Sequence, residues 1–237
     1  MIRVLLARGS GTVGQRGTLL EGEAHHLRVR RADTSDEVEV RDGDGLVGRG
    51  RLIRSGKGWD VEVIASQRAA QGPALTLAIG AGDRDRFAWV VEKATELGVT
   101  AVVPLECERS AAVASKLRPQ HLERLRRHGL EAVKQSGAAW ATRVEEPLSL
   151  EALVARPLDG KGWVADAGGS PVPAVLGDTP LTIVIGPEGG LTSGELERLR
   201  GAGYRPVGLG PHTLRFETAA IAAAAGAVAA RLRGSDG

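Results

Sequence analysis

Two glycine-rich loops carry the residue types best suited to binding a small molecule. The first is Ile185-Gly186-Pro187-Glu188-Gly189-Gly190-Leu191-Thr192, and the second is Leu209-Gly210-Pro211-His212-Thr213-Leu214-Arg215-Phe216-Glu217-Thr218-Ala219. Each loop leaves a short apolar segment and leads into a predicted helix. In an open α/β sheet, ligands bind where such loops gather at the carboxyl ends of strands. We therefore expect both loops to contribute to one binding site, although the first alone could be a plain tight turn.

The charge of the first loop restricts what it can bind. A loop that cradles phosphates usually supplies a lysine, whereas this one contains no lysine and places Glu188 among its glycines. A carboxylate there repels a polyphosphate. The loop is better suited to a ligand with hydroxyl groups or a positive charge.

Three further charged residues are candidates for contacts with an anion or a reacting group. Arg215 and Glu217 lie at the predicted start of the last helix. The helix dipole favours an acid and disfavours a cation at that end, so Glu217 could be structural while Arg215 indicates an anionic partner such as a nucleic-acid phosphate. Arg109 follows a predicted strand and is a second candidate for an anion contact.

The elements that position these loops form an alternating pattern over residues 73–237. Continuous apolar segments predict buried strands, and amphipathic or alanine-rich segments between them predict helices. Such alternation indicates an α/β domain with a mostly parallel sheet and helices on both faces. The predicted strands are 75–79, 99–104, 162–166, 181–185 and 206–209, and the predicted helices are 83–98, 119–136, 192–200 and 217–232. The helix after the first loop should begin with a capping box formed by Thr192 and Glu195.

The first seventy residues have a different pattern. Alternating short strands run into the turn Asp42-Gly43-Asp44-Gly45, which predicts a small, all-β module over residues 1–70, with a compact barrel as its expected form. Clustered arginines suggest that it contacts phosphates, because the planar guanidinium can bind them bidentately, although a solvated surface is the simpler interpretation of each cluster. The clusters are Arg28 with Arg30 and Arg31, and Arg49 with Arg51, Arg54 and Lys57.

Composition excludes several classes of protein. The chain has 237 residues and a net charge of +2, with 42% hydrophobic residues and no apolar run long enough to span a membrane. Its start has too short an apolar stretch for a secretory signal. A single cysteine, Cys107, excludes an internal disulfide framework and is consistent with a cytoplasmic protein. The scarcity of Cys and His at ligand spacing predicts no metal site.

Taken together, these motifs resemble the bacterial 16S ribosomal RNA uridine-N3 methyltransferases of the SPOUT superfamily. The resemblance covers nearly the whole chain. It is carried by His26-Leu27-Arg28-Val29, Asp42-Gly43-Asp44-Gly45, Lys93-Ala94-Thr95-Glu96-Leu97-Gly98-Val99, Glu131-Ala132 with Gln135-Ser136-Gly137, Ile185-Gly186-Pro187-Glu188-Gly189-Gly190, and Leu214-Arg215 with Glu217-Thr218-Ala219.

The resemblance implies a PUA-like β-barrel for RNA contact over residues 1–70 and a SPOUT methyltransferase domain with a trefoil knot over residues 73–237. It also implies a homodimer, S-adenosylmethionine as cofactor, and 16S ribosomal RNA or the small ribosomal subunit as partner. The cofactor-binding residues are expected to be Ala165, Asp166, Ile185, Gly186, Pro187, Glu188, Gly189, Gly190, Leu209, Gly210 and Leu214. Arg215 and Glu217 are expected to be catalytic, and Arg28, Arg30 and Arg109 to bind RNA.

Two positions depart from the family pattern. Ala138-Ala139 follow the Gln-Ser-Gly motif where an arginine is usual, and Phe216 stands where threonine is common. Two alternatives stay open at this point: a SPOUT enzyme that methylates a ribose 2′-oxygen or a transfer RNA base, and a non-catalytic RNA-binding assembly protein.

Overall fold

The computed structural model describes residues 1–56, 58–80, 82–110 and 117–235. These residues form two units, residues 1–71 with 130–141 and residues 72–129 with 142–235. Lys57, which the sequence groups with one arginine cluster, lies outside the described residues. None of the helices within these ranges is long and apolar enough to cross a membrane.

The first unit is built on a mixed five-stranded sheet with the order β1-β3-β4-β5-β2. β1 pairs with β3 in parallel and the other neighbours are antiparallel. The strands are β1 (Ile2–Leu5), β2 (Arg16–Gly17), β3 (Glu37–Arg41), β4 (Leu46–Ser55) and β5 (Gly58–Arg68), and helix α1 spans Glu23–Val29. This pairing order leaves β1 and β2 at the ends of the sheet, so the closed barrel stays a prediction.

Residues 130–141 join this unit through a buried ion pair. Lys134 Nζ lies 2.8 Å from Glu23 Oε1, and the two side chains are only 10% and 3% exposed. Burial is the largest single influence on the pKa of Lys134 and lowers it, but the hydrogen bonds that the ammonium donates to Glu23 and Glu131 outweigh this effect and raise the pKa. A buried charge without a partner is costly, so the pair fixes the end of the helix that carries Lys134 against α1.

The second unit contains the parallel sheet that the sequence predicts, with the order β12-β10-β11-β6-β7-β8 and with β9 also paired to β7. All of its pairings are parallel. The strands are β6 (Leu75–Gly80), β7 (Ala101–Glu106), β8 (Arg143–Val144), β9 (Leu148–Ser149), β10 (Lys161–Pro171), β11 (Leu181–Ile185) and β12 (Tyr204–Gly208). The helices are α2 (Arg84–Glu96), α3 (Pro119–Ser136, which ends in the first unit), α4 (Leu150–Val154), α5 (Ser193–Gly201) and α6 (Phe216–Ser235).

Side chains from alternating strand positions pack on the two faces of this sheet. Leu77 of β6 and Ile183 of β11 belong to one apolar cluster with residues of α2, α3 and α6. Ala78 and Val184, the next residue along each strand, belong to another with residues of α4 and α5. Successive side chains of these strands point to opposite faces of the sheet, and both faces are covered by helices. This arrangement confirms the predicted mostly parallel α/β architecture.

Candidate active site

A cavity of about 350 Å³ lies at the carboxyl ends of β11 and β12, beside the irregular middle of β10. Its size falls in the range of small-molecule binding sites. All the residues that line it belong to the second unit. They are Ala165, Asp166, Ala167, Ile185, Gly186, Pro187, Glu188, Gly189, Gly190, Leu191, Leu196, Leu209, Gly210, His212, Thr213, Leu214, Phe216 and Ala219.

All eleven residues that the sequence assigns to the cofactor are brought together in this cavity. The cofactor assignment left out several apolar members of the cavity wall, namely Leu191, Phe216 and Ala219 of the two loops, and Leu196 of α5. Phe216 is 2% exposed. The apolar character of these residues is a weak signal of a site, because the same residue types are needed in any buried core.

The pairing of strand β10 with β12 is irregular beside the cavity. Ala165 pairs with Val207, and the register then shifts so that Ser170 pairs with the same residue. The residues between them bulge from the sheet, as strands often do beside active sites. Gly169 lies so close to the Val207 backbone that a side chain there would collide with it. This close approach positions Asp166 at the cavity wall, where its carboxylate also pairs with Arg200 at 3.1 Å.

Glu188 has a structural role in the first glycine-rich loop. Its Oε1 accepts a hydrogen bond from the backbone N–H of Asp83 at 3.2 Å, and its carboxylate packs against Gly82. Asp83 is in turn the N-cap of α2 and accepts hydrogen bonds from the N–H groups of Asp85 and Arg86. The carboxylate that seemed out of place among glycines therefore braces the loop against the start of α2 while still lining the cavity.

Two other contacts fix the same loop. Arg109 donates a hydrogen bond to the carbonyl oxygen of Gly189, and its aliphatic stem packs over that glycine. The buried Glu195 forms the predicted capping box with Thr192, and its Oε1 also accepts the N–H of Glu108 at 2.8 Å. The capping box was readable from the sequence, but the bond to Glu108 was not, because it joins segments 87 residues apart.

Cys107 is near this region but is unsuited to act as a nucleophile. Its side chain is 2% exposed, and burial raises the pKa of its thiol to about 12. The thiolate is the nucleophilic form. At neutral pH the residue is a protonated, buried thiol.

The two residues expected to be catalytic flank the cavity without lining it. Arg215 is exposed, and its carbonyl oxygen accepts the N–H of Ala219, which makes it the N-cap of α6. Within the part of the chain that the structure describes, its guanidinium makes no ion pair. Glu217 has a 13% exposed side chain, and its Oε1 lies 3.5 Å from Nη1 of Arg86. Glu217 thus pairs with Arg86 and not with Arg215.

The predicted RNA-binding arginines lie in both units. Arg28 and Arg30 are exposed at the end of α1 in the first unit. Arg109 belongs to the second unit, where it contacts the first glycine-rich loop. On β4, Arg51 lies between Glu37 and Glu62 of the neighbouring strands. These carboxylates offset part of the positive charge that the sequence suggested for this cluster.

Comparisons with known proteins agree with this architecture. The model of the RNA methyltransferase domain family matches residues 70–228. A ribosomal RNA small subunit methyltransferase E of Synechocystis is 33% identical over 88% of this chain and 71% of its own length. One of Aquifex aeolicus is 31% identical over 87% of this chain and 93% of its own length.

Solved structures agree with the sequence comparison. A ribosomal RNA small subunit methyltransferase E of Neisseria gonorrhoeae, bound to S-adenosyl methionine, matches with a TM-score of 0.83 at 28% identity, covering 95% of both chains. A Legionella pneumophila protein in complex with the bound cofactor SAM matches with a TM-score of 0.84 at 25% identity, covering 98% of both. From the domain match, the sequence relatives and these structures together, this chain belongs to the RNA methyltransferase family, among the ribosomal RNA small subunit methyltransferases E.

Proposed function

We propose that this protein transfers a methyl group from S-adenosylmethionine to N3 of a uridine in 16S ribosomal RNA. The observation that carries the proposal is the cavity at the carboxyl ends of β11 and β12 and beside the bulge of β10, which combines glycine-bearing loops with acidic side chains. The family membership and the neighbours solved with this cofactor support it.

The residues of the cavity fit S-adenosylmethionine. Gly189 and Gly190 let the backbone approach a ligand closely, and Phe216 and Leu209 offer an apolar wall for a purine ring. Asp166 and Glu188 are anionic, which suits ribose hydroxyls and a sulfonium and opposes a polyphosphate. When bound, the cofactor supplies a methyl group on a positively charged sulfur.

Arg215 and Glu217 are the residues that we assign to the reacting nucleotide. Methylation at N3 requires loss of the N3 proton, so negative charge develops on the uracil ring. Arg215 extends from the N-cap of α6, where its exposed guanidinium can stabilise that charge or hold a phosphate. Glu217 is the proton acceptor in this scheme. Because base pairing hides N3, the target uridine must be unpaired or flipped out.

The first unit supplies RNA contact in this proposal, as a PUA-like barrel. The N–H of Ala7 donates to Thr18 at 2.8 Å and the N–H of Leu20 donates to Leu5 at 2.9 Å, and these bonds join the segments that follow β1 and β2. Such bonds support closure of the sheet. Arg28 and Arg30, together with Arg109 of the second unit, would bind phosphates, and the unit would act with the SPOUT methyltransferase domain of residues 73–237.

A trefoil knot is also part of the proposal. β12 lies on the side of β10 opposite to β11, so the chain between β11 and β12 must cross β10. α6 then returns to pack on β6 and β11. Ordinary α/β domains rarely thread a segment in this way, and the resemblance to the SPOUT superfamily supports it here.

We further infer that the protein is a homodimer through α6. The residues from Thr218 to Ala230 carry no charge. One side of the helix is buried on the sheet, while Ile221, Ala225 and Val228, at helical spacing on another side, are partly exposed. A helix that is apolar all round is expected to be covered, and its small side chains allow a second copy to approach closely.

The nucleoside product tests the proposed function. 16S ribosomal RNA from cells lacking this protein, either free or assembled in small subunits, is incubated with the purified protein and S-adenosylmethionine and then digested. Mass spectrometry should detect 3-methyluridine. A ribose-methylated nucleoside would assign a different target, and cofactor binding without any methylated product would favour an assembly role.

Replacement of Gly190 by alanine should weaken cofactor binding. Gly190 has φ +70° and closes a turn with Pro187. An alanine in this left-handed conformation costs about 1–2 kcal/mol, which corresponds to roughly a five- to thirtyfold loss of affinity if the loop relaxes away from its binding geometry. Titration calorimetry measures this loss. Gly203→Ala, at φ +91° and away from the cavity, is the matched control and should leave the affinity unchanged.

Replacement of Arg215 by alanine should reduce turnover by about a hundredfold, a typical effect of removing a group that stabilises developing negative charge. The dissociation constant of S-adenosylmethionine should not change, since Arg215 does not line the cavity. The exposed Arg205 of β12 provides the control, Arg205→Ala. Unchanged RNA binding and turnover in Arg215→Ala would show that its assigned role is wrong.

Replacement of Ala225 by glutamate should separate the dimer, because it places a charge on the proposed contact face of α6. Light scattering should give the mass of a dimer for the wild-type protein and of a monomer for Ala225→Glu. Ala155→Glu, at an exposed position after α4, should remain a dimer. A monomeric wild-type protein would refute the inference.

A further inference from the structure

The ion pair between Arg86 and Glu217 leaves one carboxylate oxygen without a partner. Oε1 of Glu217 lies 3.5 Å from Nη1 of Arg86. Oε2 is buried and has no hydrogen-bond partner among the residues that the structure describes. Nearly all buried polar atoms in native proteins are hydrogen-bonded, and an exception often marks a catalytic group or an absent partner. Oε2 of Glu217 is therefore an acceptor without a donor.

Both residues of the pair are anchored to the cavity. The N–H of Arg86 donates to Oδ1 of Asp83 at 3.0 Å, and the N–H of Asp83 donates to the cavity residue Glu188. Glu217 directly follows Phe216, whose side chain is buried in the cavity wall. Arg86 is thus held by the first turn of α2, and Glu217 by the first turn of α6.

Helix electrostatics explain Glu217 but not Arg86. Both lie in the first turn of a helix, where the dipole favours an anion and disfavours a cation. Arg86 is 42% exposed and could have pointed its charge into solvent, yet it is paired with the less exposed carboxylate. The geometry is that of a cation which holds a carboxylate in one orientation.

We propose that Arg86 is a positioning residue that acts through Glu217, holding its carboxylate oriented so that Oε2, once RNA binding uncovers it, accepts the N3 proton of the target uridine. This inference rests on the proposed function. As the proton passes from N3 to Oε2, the N3 electron pair forms the bond to the methyl carbon and the electron pair of the methyl–sulfur bond stays on sulfur. Glu217 then releases the proton to solvent.

A double-mutant cycle tests the coupling of the two residues. Glu217→Gln should lower kcat by about 10²–10⁴, the usual contribution of a positioned base. Arg86→Gln should lower kcat by about tenfold or more, and Arg86→Lys, which retains the charge, should recover most of it. In the Glu217→Gln background, Arg86→Gln should have no further effect, because residues that act as a unit are not additive.

Binding measurements separate this role from a structural one. The KM for RNA, the calorimetric dissociation constant of S-adenosylmethionine and the unfolding temperature should stay close to the wild-type values in Arg86→Gln. Arg198→Gln removes an arginine of matched exposure, 41%, from its ion pair with Glu108 and should leave kcat unchanged.

Three results would overturn the inference. They are an unchanged kcat in Arg86→Gln, independent effects of the two substitutions in the double variant, and a loss that appears only in cofactor affinity or folding. The identity of the wild-type product is a separate readout. A product other than 3-methyluridine refutes the proposed function, and the cycle measured on that product still decides whether Arg86 acts through Glu217.

Discussion

The candidate site depends on the parallel pairing of β10 with β11 on one side and β12 on the other. This pairing aligns Val164 with Val184 and Ala165 with Val207, so the carboxyl ends of β11 and β12 lie level with the bulge of β10. The loops that leave them must then face the same cavity. The starts of α5 and α6 follow these loops.

In the first glycine-rich loop, Glu188 both restrains the backbone and contributes a negative charge to the cavity. The glycines of this loop permit close approach to a ligand but leave the backbone poorly restrained, and the hydrogen bond from Asp83 to Glu188 restrains it. Arg109 holds the same loop through the carbonyl oxygen of Gly189. In the proposed function, the same carboxylate also disfavours a phosphate-bearing ligand. A lysine in its place could neither accept the N–H of Asp83 nor maintain that selectivity.

The sequence predicts those features that short segments determine. The apolar runs of β6 and β11, the amphipathic stripe of α2 and the Thr192–Glu195 capping box all depend on residues a few positions apart, and they are found as predicted. The glycine loops were identifiable because their composition is unusual.

Features that depend on packing between distant segments could not be predicted. The pair of Arg86 with Glu217 needs α2 and α6 to lie together, and the pair of Lys134 with Glu23 joins segments 111 residues apart. The role of Glu188 belongs to the same class, because its partner is a backbone N–H that any residue at position 83 except proline would supply.

The central claim is that the cavity selects a cationic, phosphate-free methyl donor. Titration calorimetry with S-adenosylmethionine and with ATP, each added to the wild-type protein under the same conditions, tests it most directly. The account predicts saturable binding of S-adenosylmethionine and no detectable binding of ATP. Binding of ATP as tight as that of S-adenosylmethionine would contradict it.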